Sequence, residues 1–236
     1  MRVVLTDVEG TTSSISMVRD VLVPYARRSM AAFVRARGQE PLVRSWLDAA
    51  SVAAGGVMGD EDLILELERW SDSDRKDTSL KALQGLIWEA GYVRGDFAAH
   101  VYPDATAKLR LWATRGHELY VYSSGSVAAQ MLFFVRTTMG DLSPLFSGHF
   151  DTEIGGKREV RSYRHIAEAI GRRPADILFL SDSVEELDAA RDTGVSTILL
   201  DRPADYPHGR SGAASNGHRR VESFEDIDPD ADGDRR

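Results

Sequence analysis

Four short runs of apolar residues, each continuous rather than alternating, constrain this chain more than anything else in it. They cover residues 3–5, 119–122, 177–180 and 197–200. Such runs are strands buried on both faces, as in a parallel sheet covered by helices. Helical patterns lie between the later ones. Residues 104–115 end at Gly116. Residues 159–170 carry Val160, Tyr163, Ala167 and Ile170 on one face and stop at Gly171, and residues 184–193 stop at Gly194. Strand and helix in repetition predict an α/β fold, a three-layer Rossmann-like parallel sheet with right-handed crossovers.

The stretch 15–100 breaks this rhythm. It shows no strand pattern, and its spacing predicts helices over residues 24–37, 60–70 and 78–92, with Pro24 in the first turn of one and Leu80, Leu83, Ile87 and Ala90 lining another. A helical cap inserted after the first strand is expected to act as a lid over that strand's carboxyl end. The expected core is then residues 1–14 and 101–228, the cap 15–100, and residues 229–236 a disordered acidic tail.

Charge follows the same division. The net charge is −8, but residues 222–236 hold seven acids and two arginines, a local −5, which leaves −3 for the body. A basic surface for nucleic acid is absent from the sequence. With no cysteine there is no disulfide framework, thiolate metal site or cysteine nucleophile. No apolar run reaches the roughly 18–20 residues of a membrane span, and the opening residues lack a signal-peptide pattern. The expectation is a cytoplasmic monomer with neither nucleic-acid nor membrane partners.

Ligands of open α/β sheets bind beyond the carboxyl ends of the strands, and three strand ends carry suggestive residues. The first is Asp7-Val8-Glu9-Gly10-Thr11-Thr12. Asp7 suits a carboxylate nucleophile on phosphorus, and Glu9 a general acid and base as the chain turns at Gly10. The bland alternative is a surface turn with two solvated acids. The second is Ser123-Ser124-Gly125-Ser126 before a helix over 127–138, where free amides, the helix dipole and hydroxyls would bind an anion; it reads equally as an ordinary helix cap. The third is Ser181-Asp182-Ser183 followed by Glu185 and Glu186. Asp182 can join Asp7 on Mg²⁺, a hard ion that prefers oxygen, or merely cap a helix; Glu185 and Glu186 read as a solvated first turn. Lys157, after Gly155-Gly156, would neutralise phosphate or hold Asp7. A phosphate-binding P-loop does not fit there, because Asp151 stands where glycine is required and Arg158 where serine or threonine is. His149, Arg75 and Lys76 are weaker candidates.

The order Asp-x-Glu-Gly-Thr, Ser, Lys, Ser-Asp resembles the haloacid dehalogenase-like phosphohydrolases, which usually carry a second Asp where this chain has Glu9. The opening motif is similar to that of the enolase-phosphatase E1 family, also called acireductone synthase. Further segments resemble the same family: Val21-Leu22-Val23-Pro24-Tyr25-Ala26, Asp74-Arg75-Lys76-Asp77-Thr78, Leu80-Lys81-Ala82-Leu83-Gln84-Gly85 with Trp88, Gly148-His149-Phe150-Asp151-Thr152 and Phe179-Leu180-Ser181-Asp182. The acidic tail lies outside the resemblance. It implies a Mg²⁺-dependent enzyme of methionine salvage that enolises 2,3-diketo-5-methylthiopentyl 1-phosphate and removes its phosphate, giving 1,2-dihydroxy-3-keto-5-methylthiopentene. By position it implies Asp7 and Asp182 as metal ligands, with Glu9 contributing through its backbone carbonyl, and Ser123, Ser124 and Lys157 as substrate-binding residues. The alternatives are a phosphatase for another small phosphate ester and, less well suited to a chain of this length, a receiver-type regulatory domain.

Overall fold

A computed structural model describes residues 2–233. By its contacts the chain divides into Ser16–Phe97 and a second unit made of Met1–Ile15 with Ala98–Arg236. The expected crossings are 14/15 and 100/101; the contact division lies at 15/16 and 97/98.

In the second unit the described residues form one parallel sheet of six strands. These are β1 Val3–Thr6, β2 Glu118–Tyr122, β3 Gly148–Phe150, β4 Ile177–Ser181, β5 Ser196–Leu200 and β6 Arg219–Val221, in the spatial order β3-β2-β1-β4-β5-β6. β1 is central, pairing Thr6 with Val121 on one side and with Leu180 on the other. The strand order reverses there, which opens a crevice at the carboxyl ends of β1, β2 and β4. The two strands without a sequence signal, β3 and β6, are three-residue edge strands with polar residues such as His149, Arg219 and Arg220.

The insert is wholly helical. A π-helical turn over Met17–Leu22 leads into α1 Val23–Arg37, whose first turn holds Pro24. α2 Pro41–Ala53, α3 Asp60–Asp72 and α4 Thr78–Arg94 follow. The sequence reading missed α2. Asp77 caps α4 by accepting from the amides of Ser79 and Leu80 at 2.9 and 3.1 Å, the pairing expected of a helix start. Met30, Leu47, Leu63, Leu67, Leu83 and Ile87 fill the core of this unit.

The remaining helices cover the sheet. α5 Pro103–Thr114 and α6 Val127–Val135 bury Leu109, Trp112 and Phe134 against Val4, Leu119, Val121 and Leu178. α7 Val160–Ile170 and α8 Val184–Arg191 bury Tyr163, Ile166 and Leu187 against Val3, Leu5, Phe179 and Leu199. Successive strand residues thus face opposite layers, and three layers result. α7 ends at Gly171, whose φ of 71° needs a residue without a Cβ. Among the described residues no helix is long and apolar enough to cross a membrane.

The expected disorder from residue 229 is corrected for 229–233. A turn of helix, α9 Pro229–Asp232, packs Pro229 and Asp232 inside. The Asp232 carboxylate accepts from Arg219 at 2.9 Å and from the Asp228 amide at 3.0 Å, and Ser196 donates to the Gly233 carbonyl. Paired this way, the acid loses the solvation that would have kept the segment out in water. Residues 234–236 of the tail lie outside the described residues.

Candidate active site

Asp7 follows β1 and keeps its register: its amide donates to the Leu180 carbonyl at 2.9 Å. The chain then doubles back. Ser13 donates from its amide to the Val8 carbonyl at 2.8 Å, and the Thr12 hydroxyl donates to the carbonyls of Asp7 and Val8. Asp7 is 5% exposed, whereas Glu9 is exposed, with its backbone bridged to Ser13. The two carboxylates therefore leave the turn in different environments, one fixed in the protein and one facing out.

Gly10 explains how closely this turn approaches β4. Its φ is 70°, and a Cβ placed there would stand 2.2 Å from Oδ2 of Asp182. Any side chain at this position would both strain the backbone and collide with that carboxylate. Asp182, one residue past β4, is thus brought against the Asp7 turn.

Lys157 joins them from the loop before α7. Its Nζ lies 2.6 Å from Oδ1 of Asp7 and 2.7 Å from Oε2 of Glu186, with Lys157 and Asp7 side chains each 7% exposed. Tyr163 donates to the Lys157 carbonyl at 2.7 Å, and the ammonium lies 5.9 Å from the centre of the Tyr122 ring. Burial alone would push the ammonium's pKa down, but the Asp7 and Glu186 carboxylates outweigh it and hold the pKa above the usual lysine range. Burial, and then the Asp7 charge, push Asp182 up to about 7, against the opposing hydrogen bond from Tyr206. Burial and Asp7 raise Glu186 as well. Three carboxylates crowd one lysine here, so the site is short of positive charge.

Glu186 corrects the sequence reading. Glu185 is exposed and bonds to Ser183, but Glu186 turns inward, where it pairs with Lys157 and accepts from the Ser181 hydroxyl at 3.0 Å. The anion cradle at α6 is corrected too. The Val127 amide donates to the Asp151 carboxylate at 2.9 Å and the Ala129 amide to Ser126 Oγ at 3.3 Å, so two of the amides expected to be free are taken and a carboxylate sits at the helix start. The Gly125 amide is engaged as well, on Ser123 Oγ at 3.3 Å. Ser123 is buried and Ser124 exposed, both leaving the sheet at the rim where Asp7 emerges, since Val121 stands opposite Thr6.

The weaker candidates are engaged elsewhere. His149 is half-buried, 3.3 Å from the Gln130 side-chain oxygen. Arg75 lies on the Trp70 ring, and Lys76 pairs with Asp74 at the surface. Sequence reasoning also passed over residues 201–210, a turn-rich stretch whose Tyr206 donates to Oδ2 of Asp182 and whose Arg210 donates to the Asp182 carbonyl. No local pattern marks these residues; only the fold brings them to the site.

A turn that buries Asp7 after the first strand, a buried lysine paired with it and a strand-end acid on a six-stranded parallel sheet define a class. The family model of haloacid dehalogenase-like hydrolases matches residues 1–194, and the chain belongs to that family. Within it, the chain is a member of the enolase-phosphatase E1 family. It is 59% identical over 226 residues to the enolase-phosphatase E1 of Stenotrophomonas maltophilia strain K279a, covering 96% of this chain and 98% of that one. It is 51% identical to that of Azotobacter vinelandii, covering 98% and 99%. The UTR4 protein of Saccharomyces cerevisiae superposes with a TM-score of 0.77 at 32% identity, covering 96% of this chain and 99% of that one.

Proposed function

We propose that this enzyme, a phosphatase, is a bifunctional enolase-phosphatase that converts 2,3-diketo-5-methylthiopentyl 1-phosphate to 1,2-dihydroxy-3-keto-5-methylthiopentene and phosphate in methionine salvage. The observation that carries the proposal is the pairing of a buried, lysine-held Asp7 with an exposed Glu9 two residues along the same turn. Asp7 is positioned as a nucleophile and is held by the Lys157 ammonium at 2.6 Å. Glu9 has one methylene more than aspartate and faces the open side of the rim, so its carboxylate has the reach for proton work on carbon as well as on oxygen.

The product's C1–C2 double bond requires loss of a C1 proton. In the proposed sequence Glu9 takes that proton while charge develops on the C2 oxygen. Asp7 then attacks phosphorus, the bond from phosphorus to the C1 oxygen breaks, and Glu9 returns its proton to that oxygen. The C2 enolate takes its proton from solvent. Water, deprotonated by Glu9, hydrolyses the aspartyl phosphate and frees Asp7. Ser123, Ser124 and Lys157 receive the phosphate group. The donor set suits Mg²⁺, because Asp7 and Asp182 present carboxylates from adjacent strand ends in a site short of positive charge. Held by these two and the Glu9 carbonyl, Mg²⁺ supplies Lewis-acid stabilisation of the developing charge on oxygen. The enzyme acts as a cytoplasmic monomer on a free small-molecule phosphate ester.

A substrate panel with Mg²⁺ tests this directly. Phosphate release from the diketone phosphate accompanied by the ultraviolet band of an enediol is expected. Release from sugar phosphates alone, with no such band, would replace the proposal by a phosphatase for another small ester.

A further inference from the structure

The stretch 201–210 has no regular secondary structure, yet it bonds to the Asp7 turn, to Asp182 and to both ends of the chain that flank the insert. At its start Arg202 is buried and donates from Nε and Nη2 to the Thr11 carbonyl at 3.1 and 3.0 Å, which ties it to the Asp7 turn. At its end Arg210 donates to the Asp182 carbonyl and pairs with the buried Asp201 at 2.8 Å. Between them the Tyr206 hydroxyl donates to Oδ2 of Asp182, and the Tyr206 ring is held face-on by the Arg210 guanidinium at 3.6 Å.

Its neighbour Asp205 points the other way. Oδ1 accepts from the Ser14 hydroxyl at 2.8 Å and from the Ile15 amide at 3.0 Å, and Oδ2 accepts from the Tyr102 hydroxyl at 2.8 Å. Ser14 and Ile15 are the last residues before the chain leaves for the helical insert, and Tyr102 lies just after it returns. The outgoing and returning chains also hold each other here, through the Tyr102 amide on the Thr12 carbonyl at 2.9 Å and the Ser14 amide on His100 Nδ1 at 3.0 Å. Adjacent residues of one short loop therefore grip the strand-end carboxylate and both crossovers.

We propose that Tyr206 is a positioning residue for Asp182, and that through Asp205 it links the state of that carboxylate to the two crossovers of the insert. Tyr206 and the close approach of Gly10 fix Oδ2, so the carboxylate presents its other oxygen to a cation shared with Asp7. A cation there stiffens Asp182, Tyr206 and the loop, and Asp205 passes the restraint to Ser14, Ile15 and Tyr102. Linkage makes the effect reciprocal: loosening the crossovers weakens cation binding at a carboxylate they do not touch. The inference rests on the assignment of Asp182 as a metal ligand.

The test uses the full chain and Mg²⁺ alone. Titration calorimetry gives Mg²⁺ affinity, and hydrogen exchange at the Ile15 amide, with and without Mg²⁺, reads the crossover. Tyr206→Phe keeps the ring on Arg210 and removes only the hydroxyl, so without Mg²⁺ it should fold as the wild type does, with a lower Tm because the buried Asp182 loses a donor. It should bind Mg²⁺ about 10- to 100-fold more weakly, the range for losing a group that orients a ligand. It should also lose the Mg²⁺-induced slowing of exchange at Ile15. Asp205→Asn should weaken Mg²⁺ binding by a smaller factor without touching Asp182. Wild-type Mg²⁺ affinity in either variant, or Mg²⁺-induced protection of Ile15 persisting in Tyr206→Phe, would overturn the inference. Asp182→Asn separates the two levels: if it binds Mg²⁺ as tightly as the wild type, the metal-ligand assignment itself fails.

Discussion

Replacing Gly10 by alanine isolates what the Asp7 turn does for Asp182. The backbone there has φ of 70°, and a non-glycine residue in the left-handed region costs roughly 1–2 kcal/mol. In a protein of this size that lowers Tm by about 2–8 °C. The new methyl group would also stand 2.2 Å from Oδ2 and 2.6 Å from Cγ of Asp182, against an ordinary contact of 3.4 Å or more. The carboxylate must retreat by about 1.2 Å and lose its bond from Tyr206. A displacement near 1 Å in a reacting constellation costs on the order of 100-fold in rate, equivalent to about 2.7 kcal/mol of barrier. Gly10→Ala should therefore be folded and only modestly destabilised in thermal melts, yet its kcat/KM for phosphate release should fall about 100-fold. A variant with the expected drop in Tm but wild-type kcat/KM would show that the position of Asp182 does not matter to the reaction, and the geometric reasoning would fail with it.

Lys157→Met leaves Asp7 and Glu186 buried without their cation, which costs about 3–5 kcal/mol; urea unfolding measures it, and a loss below about 1 kcal/mol would contradict the burial of these charges. Asp7→Asn should abolish phosphate release while substrate still binds in equilibrium titration, so wild-type turnover would remove Asp7 as nucleophile. Glu9→Gln should slow both enolisation, followed by the enediol band, and phosphate release; normal rates of both would end the dual role. His100, His149 and His218 are each lowered by burial. On their own these imidazoles take stability away as pH drops through the ordinary histidine value of about 6.5, whereas the raised Asp182 and Glu186 carboxylates act in the opposite sense over the same range, so the whole-protein Tm does not isolate them. Titration of the imidazole C2 protons by NMR does: all three should titrate below about 6.5, and midpoints at or above that value would count against neutral buried imidazoles.

What was legible in the sequence follows from burial. β1, β2, β4 and β5 are covered on both faces, so continuous apolar runs mark them. β3 and β6 sit at the sheet edges with three residues each, and a half-covered His149 or Arg219 leaves no such run. α2 was different, because its signal was present: Pro41 at the start, then Val43, Leu47 and Ala50 at helical spacing, all three buried. At the site, Asp7, Lys157 and Asp182 were readable because strand ends and a glycine pair locate them. Glu186 was not, since it stands beside Glu185 with the same charge, and only the pitch of α8 decides which of the two turns inward. Tyr206 lies 24 residues from its partner in a loop without periodicity, and no local rule reaches that far.

Glu186 also changes how Lys157 is understood. A lone lysine beside a nucleophile could swing between Asp7 and an incoming phosphate, since its stem is long and flexible. Here a second carboxylate, itself anchored by Ser181, accepts from another of its N–H groups at 2.7 Å. An ammonium has three N–H donors. With one directed to Asp7 and one to Glu186, the ammonium is held on two sides. Glu186 thus trades the lysine's mobility for direction, and Asp7 is held in place by an ammonium that is itself anchored. The excess of acid this creates beside Asp182 is the same excess that makes the site receptive to a divalent cation.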